Sequence, residues 1–140
     1  MLIIIDTREQ SPWAFPPDVA ETRRGTLLAG DYALAEDNAF AIERKSIDDF
    51  CGTVSSGWAR FLRELDRMQL WPARVIIIEG QISDLAWGRH NHSRLTYGFL
   101  AKRIAELTMR NVTCLFCENS DLAAGIAWKI LKERERQLTL

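Results

Sequence analysis

The chain carries little of what marks a secreted, membrane-bound or nucleotide-hydrolysing protein. Its three cysteines, Cys51, Cys114 and Cys117, are an odd number with no secretory leader. That count argues against a disulfide framework and makes a reducing cytoplasm the expected setting. The opening run "MLIII" is too short for a signal peptide or a membrane span, so no membrane association is expected. No glycine-rich phosphate loop is present, which leaves nucleotide hydrolysis unsupported. Neither sign of charge dominates: 18 Lys and Arg against 19 Asp and Glu give a formal net charge of -1. Any contact with nucleic acid must therefore come from local basic patches. Repeats and low-complexity segments are absent as well.

What remains is enough for one core. The 140 residues are 47% hydrophobic, and a single domain over residues 1–140 is expected. Leu2–Ile5 reads as a buried strand. Three prolines (Pro12, Pro16, Pro17) make "SPWAFPPDVAETRRG" a loop, with Trp13 and Phe15 packed onto the body. Strands are expected at Thr26–Leu28, Tyr32–Ala35 and Ala39–Arg44, the last two joined by a hairpin turn at "AEDN". From Ser55 to Leu70 the period becomes helical, with Trp58, Phe61, Leu62, Leu65 and Met68 on one side and Arg60, Arg63 and Arg67 on the other. Val75–Glu79 and Val112–Phe116 read as strands. Helices are expected over Ser93–Arg110 and from Asp121 onward, the second ending in a solvated "KERERQ" tail. Strands interleaved with helices predict an α/β domain with an antiparallel hairpin early and parallel crossovers later.

One strand carries more charge than packing needs. Side chains alternate along an extended chain, so Glu43 and Lys45 share a face while Ile42 and Arg44 take the other. With Asp31 supplied by the adjacent strand, two hard oxygen ligands suit Mg²⁺ or Mn²⁺, and a lysine stands ready to orient an attacking water. That set fits phosphodiester hydrolysis. The plainer reading keeps Glu43 and Lys45 as a surface pair and Asp31 as a turn residue.

Longer stretches bear on that choice. "IIIDTREQ", "GDYAL" and "ERKSIDDF" resemble the nuclease domain of the XPF-type structure-specific endonucleases, a branch of the restriction-endonuclease-like PD-(D/E)XK superfamily. The family signature GD…ERK-x-x-x-D falls on Gly30-Asp31, Glu43-Arg44-Lys45 and Asp49. "RFLREL", "RVIIIEG" and the C-terminal helix–strand–helix extend the likeness more loosely. The resemblance implies a restriction-endonuclease-like three-layer fold, a central mixed β-sheet flanked by helices. It implies a Mg²⁺- or Mn²⁺-dependent DNA endonuclease acting on flap, fork or branched DNA in repair or recombination, chromosome-associated in the cytoplasm.

By that likeness Asp31, Glu43 and the backbone carbonyl of Arg44 bind metal, and Lys45 is the catalytic lysine. Asp6 is a further acidic member, either a second ligand or one step removed from the metal, Arg8 contacts phosphate or organises the site, and Asp49 supports Lys45 and the metal cluster. Arg8, Arg44 and the stripe Arg60, Arg63 and Arg67 are the expected DNA-binding set; the plainer reading of the stripe is a solvated helix face with Glu64 and Asp66 to pair with. Many members carry a tandem helix-hairpin-helix module, for which 140 residues leave no room. The resemblance therefore implies a homodimer through the C-terminal half and a separate DNA-binding partner protein. Two alternatives stay open: a catalytically silent module that binds DNA or a partner, and a phage- or restriction-type nuclease with another DNA substrate. Silent relatives usually lose site residues, and this chain retains them.

The remaining features read as structural. His90 and His92 form an H-x-H without Cys or acidic partners at ligand spacing. Cys114 and Cys117 are three apart in a strand, which sends them to opposite faces. Trp71, Trp87 and Trp128 read as packing residues.

Overall fold

The isoleucine-rich start of the chain forms β1 (Leu2–Asp6), as β-branched side chains favour an extended backbone. The computed structural model describes all 140 residues. β1 is the second strand of a six-stranded sheet ordered β2-β1-β3-β4-β5-β6. The others are β2 (Glu21–Gly25), β3 (Tyr32–Leu34), β4 (Ile42–Ser46), β5 (Arg74–Glu79) and β6 (Val112–Cys117). β3 runs antiparallel to both its neighbours, and every other adjacent pair is parallel.

The sheet is mixed and covered on both faces. On one side α5 (Ser120–Leu138) and the Trp13–Phe15 loop pack on Ile3, Ile5, Tyr32, Ile42 and Ile77. On the other, α1 (Ile47–Val54), α2 (Trp58–Arg67), α3 (Ile82–Ala86) and α4 (Tyr97–Met109) pack on Ile76, Ile78 and Val112. Each fully buried Ile, Leu or Phe contributes about 1.5–3 kcal/mol of transfer free energy, so these two cores clamp the strands between them. The three-layer α/β arrangement agrees with the sequence reading. Cys114 and Cys117 do pack on opposite faces, and all three cysteines are free thiols. No helix is long and apolar enough to cross a membrane.

Several local expectations fail for identifiable reasons. The proline-rich loop ends early, because Glu21–Gly25 forms β2 in parallel register with β1, while Thr26–Leu28 is not a strand. As an edge strand with exposed side chains, β2 lacks the alternation that would have marked it. The helix expected over Ser55–Leu70 forms as α2, shorter at both ends, and an unexpected helix precedes it. α1 begins directly after β4, capped by Ser46 Oγ accepting from Asp49 N at 3.0 Å, and Gly57 separates it from α2. α5 runs to Leu138 with most of its KERERQ end exposed, but Arg134 departs from the solvated reading and makes a two-bond contact with Asp37. Trp87 is 74% exposed and does not pack.

Candidate active site

The charged residues of β4 divide between the two faces of the sheet. Ile42 and Arg44 face α5, while Glu43 and Lys45 face α1 and α2, as strand alternation requires. Tyr32 is buried on the α5 side, so its neighbour Asp31 turns the other way. The register Tyr32↔Ile42, continued by one residue, sets Asp31 opposite Glu43. The register Ile5↔Tyr32 likewise sets Asp6 beside Asp31, whose carbonyl accepts from Asp6 N at 2.9 Å. Asp6, Asp31 and Glu43 thus form one row across three adjacent strands. Like charges opposed in this way are destabilising, so the row needs compensation.

Gly30 makes the row possible. Its φ of 76° lies in the left-handed region, and an added Cβ would stand 2.6 Å from Ala41 Cβ. The chain leaves the ladder there, and Asp31 Oδ2 accepts from Arg44 N at 2.7 Å in place of a strand partner. Because N–H and C=O of one strand residue point to the same side, the Arg44 carbonyl faces the same gap. Burial and the neighbouring Glu43 push the Asp31 carboxyl up to about 7. Its second oxygen accepts no hydrogen bond from the protein.

The remaining members differ in how far they are committed. Lys45 Nζ stands 3.1 Å from Glu43 Oε1. Asp6 is 0% exposed, and both of its oxygens are taken: Oδ1 accepts from Leu27 N at 2.9 Å, and Oδ2 from Arg8 Nε at 2.7 Å and Arg8 N at 3.1 Å. Burial alone would raise the Asp6 carboxyl, but those bonds hold it below its ordinary value. Asp6 therefore anchors Arg8, whose side chain remains 72% exposed. Asp6 holds the Arg8 guanidinium above its ordinary pKa, chiefly by the hydrogen bond, with smaller help from Asp31 and Glu43. Asp49 donates its amide to the Ser46 Oγ that caps α1, and its carboxylate makes no ion pair; Lys45 pairs with Glu43 instead. Arg44 does not present its side chain here. It is 16% exposed on the α5 side and is held by Glu79, by Glu9 at 3.2 Å and by the Ser11 carbonyl at 2.7 Å.

Two open grooves meet at Glu43. The first, about 670 Å³, runs between the sheet and the C-terminal end of α2 and includes Arg8, Asp31 and Arg67. The second, about 530 Å³, includes Lys45, Asp49, Arg60 and His92. Arg60, Arg63 and Arg67 are exposed, and none forms an ion pair with Glu64 or Asp66; Arg63 lies outside both grooves. His92 arrives from a remote loop because Asn91 donates to Asp48 through its amide at 2.7 Å and its side chain at 2.9 Å. Sequence reasoning missed that placement, as it missed the partners of Arg44. No signal in the sequence ties Glu9 to Glu79.

A divalent cation fits the donor set. Two carboxylates and a backbone carbonyl are hard oxygen donors, and a buried carboxylate pushed towards neutrality by its neighbour is the electrostatic deficit such a cation relieves. No three His, Cys or carboxylate side chains converge, since Asp6 is turned to Arg8.

The fold and this row together define an α/β nuclease domain. The ERCC4 domain family matches residues 5–127, and the chain belongs to that family of DNA endonucleases. Among solved structures, XPF from Aeropyrum pernix is 19% identical with a TM-score of 0.69, the match covering 99% of this chain and 67% of that one. XPF from Aeropyrum pernix in complex with DNA is 20% identical with a TM-score of 0.72, covering 97% and 66%. Those likenesses establish the fold, and this chain spans about two thirds of each. No curated protein matches it.

Proposed function

We propose that the chain hydrolyses phosphodiester bonds in branched DNA (flaps, forks or junctions) with a divalent metal, in DNA repair or recombination. The observation that carries this reading is the Asp31–Glu43 pair, opposed across two strands with the Arg44 carbonyl turned into the same gap. Asp31, Glu43 and that carbonyl hold Mg²⁺ or Mn²⁺, which when bound polarises the phosphate and the attacking water. Lys45, beside Glu43, donates to that water and orients it towards phosphorus. Arg8, steadied by Asp6, uses its remaining guanidinium N–H groups on a phosphate oxygen. Asp49 supports the site from the wall of the second groove. Arg60, Arg63 and Arg67 supply the salt-dependent part of the affinity. The XPF structure bound to DNA supports a DNA ligand for this fold.

Assembly belongs to the same reading. A homodimer through the C-terminal half would cover the exposed Leu122 and Ile126 on α5, and a separate protein would supply further DNA-binding surface. The test is cleavage of duplex, single strand, 3′-flap, splayed fork and four-way junction by the wild-type chain and Lys45→Ala, each in Mg²⁺, Mn²⁺ and EDTA. Metal-dependent cutting of branched DNA that is lost in the variant is the expected result. A chain that binds forks and cuts nothing would make it a silent subunit, and site-specific cutting of plain duplex would make it a restriction-type enzyme.

A further inference from the structure

The two grooves that meet at Glu43 are chemically unlike. The second is polar throughout, with Phe61 its one hydrophobic residue. It suits a sugar-phosphate backbone passing Lys45 and Arg60. The first has ten hydrophobic residues among its nineteen, several of them on or just after α2: Phe61, Leu65, Met68 and Trp71. A phosphate backbone has no use for such a wall, while a flat aromatic ring does. The volume of about 670 Å³ is within the range of small-molecule sites.

Charge narrows the occupant further. Arg67 is exposed without an ion pair, and Arg8 keeps most of its guanidinium exposed, so the cleft has cations beside its apolar wall. Its carboxylates are accounted for in three ways. Glu9 is held by Tyr32 and Arg44, and Asp31 and Glu43 face the cation proposed above. Glu64 makes no hydrogen bond and lies against both grooves, where it suits an exocyclic amino group, a donor that a carboxylate accepts from. An apolar cleft with cations and one amine acceptor, opening on the hydrolytic row, matches a nucleotide with its base turned out.

We infer that the first groove is a nucleobase subsite: a nucleotide next to the scissile phosphate leaves its stack and lays its base against Trp71, with its own phosphate towards Arg8 and Arg67. This deepens the nuclease reading and rests on it for the position of the scissile phosphate. Its consequence is a mechanism of selection. Turning a base out costs a few kcal/mol in paired DNA and least where the base is already unpaired, so the groove itself favours branch points over plain duplex.

The test is a coupling measurement that needs no cleavage. Splayed-fork DNA is made with a single abasic nucleotide moved one position at a time through the branch, and its affinity is measured in Ca²⁺ for Lys45→Ala and for Lys45→Ala with Trp71→Ala. At one position, loss of the base is expected to weaken binding on the order of tenfold for the first protein and hardly at all for the second. Trp71→Phe is expected to restore the coupling. Trp71→Leu keeps apolar bulk without a ring and is expected not to, which separates stacking from any loosening of the fold. Uniform abasic effects in both proteins, or no binding of the fork at all, would overturn the inference. Coupling without metal-dependent cutting by the wild type would keep the subsite and remove the nuclease reading; cutting without coupling would do the reverse.

Discussion

The two faces of β4 hold charges of the same kind in opposite conditions. On the α5 side Arg44 is enclosed: Glu79 and Glu9 neutralise it, the Ser11 carbonyl and Tyr32 hydroxyl accept from it, and the Trp13 ring lies 4.9 Å below its guanidinium. Burial works against that cation, but the Glu79 hydrogen bond more than offsets it and raises the guanidinium above its ordinary pKa. On the other side Asp31 and Glu43 oppose each other with one amide and one lysine for compensation. One face is neutralised within the protein, and the other is the face on which the proposed metal site stands.

The first way to break that comparison is to remove the open-face lysine. Lys45→Ala is expected to lower metal-dependent cleavage by about 10²- to 10⁴-fold, with little change in the unfolding midpoint. Asp31→Asn should also abolish cleavage while leaving urea stability equal or higher, because it removes a buried like-charge opposition. A clear loss of stability in that variant would contradict the picture of a deficient face. The converse change is Arg44→Met, which strands Glu9 and Glu79 together; an expected loss of about 3 kcal/mol is measurable by urea unfolding. Arg44→Lys should not recover it, since an ammonium cannot reproduce the fork or the stacking.

Smaller effects sharpen the same contrast. Gly30→Ala is expected to cost roughly 1–2 kcal/mol from its left-handed backbone, with more from the contact with Ala41. It should also lower cleavage, because Asp31 moves with it. The smallest effect is a pH dependence on the closed face. Burial would raise the Asp37 carboxyl, but the Arg134 hydrogen bonds hold it below its ordinary value. A depressed carboxylate stabilises fully above its unfolded pKa and loses that contribution as pH falls through the folded value. Wild type should therefore lose more stability than Asp37→Asn on acidification below about pH 4. Equal losses in acid unfolding curves would remove this pair from the closed face's stabilising set.

The open face was legible in the sequence and the closed face was not. Glu43 and Lys45 are two apart in a strand, so alternation alone puts them together, and the Gly30-Asp31 step brings its carboxylate to them. Arg44 meets Glu9 and Glu79 across 35 residues in each direction, and no local period reports such a meeting. The fold divides similarly. Strongly apolar strands were readable, while β2 was hidden by its polar edge composition. α1 had a readable signal in Ile47, Phe50, Cys51 and Val54 at helical spacing, and in Ser46 as its cap.

The register between β3 and β4 consists of one residue pair, Tyr32↔Ile42, whereas β4 and β5 share five. The sheet is therefore two three-stranded plates joined at a narrow seam. Asp31 and Glu43 stand on opposite lips of it. α5 packs across both plates, and the Arg134–Asp37 clamp pins its far end to the turn that joins them. The helix works as a splint, holding the two plates together from the rear.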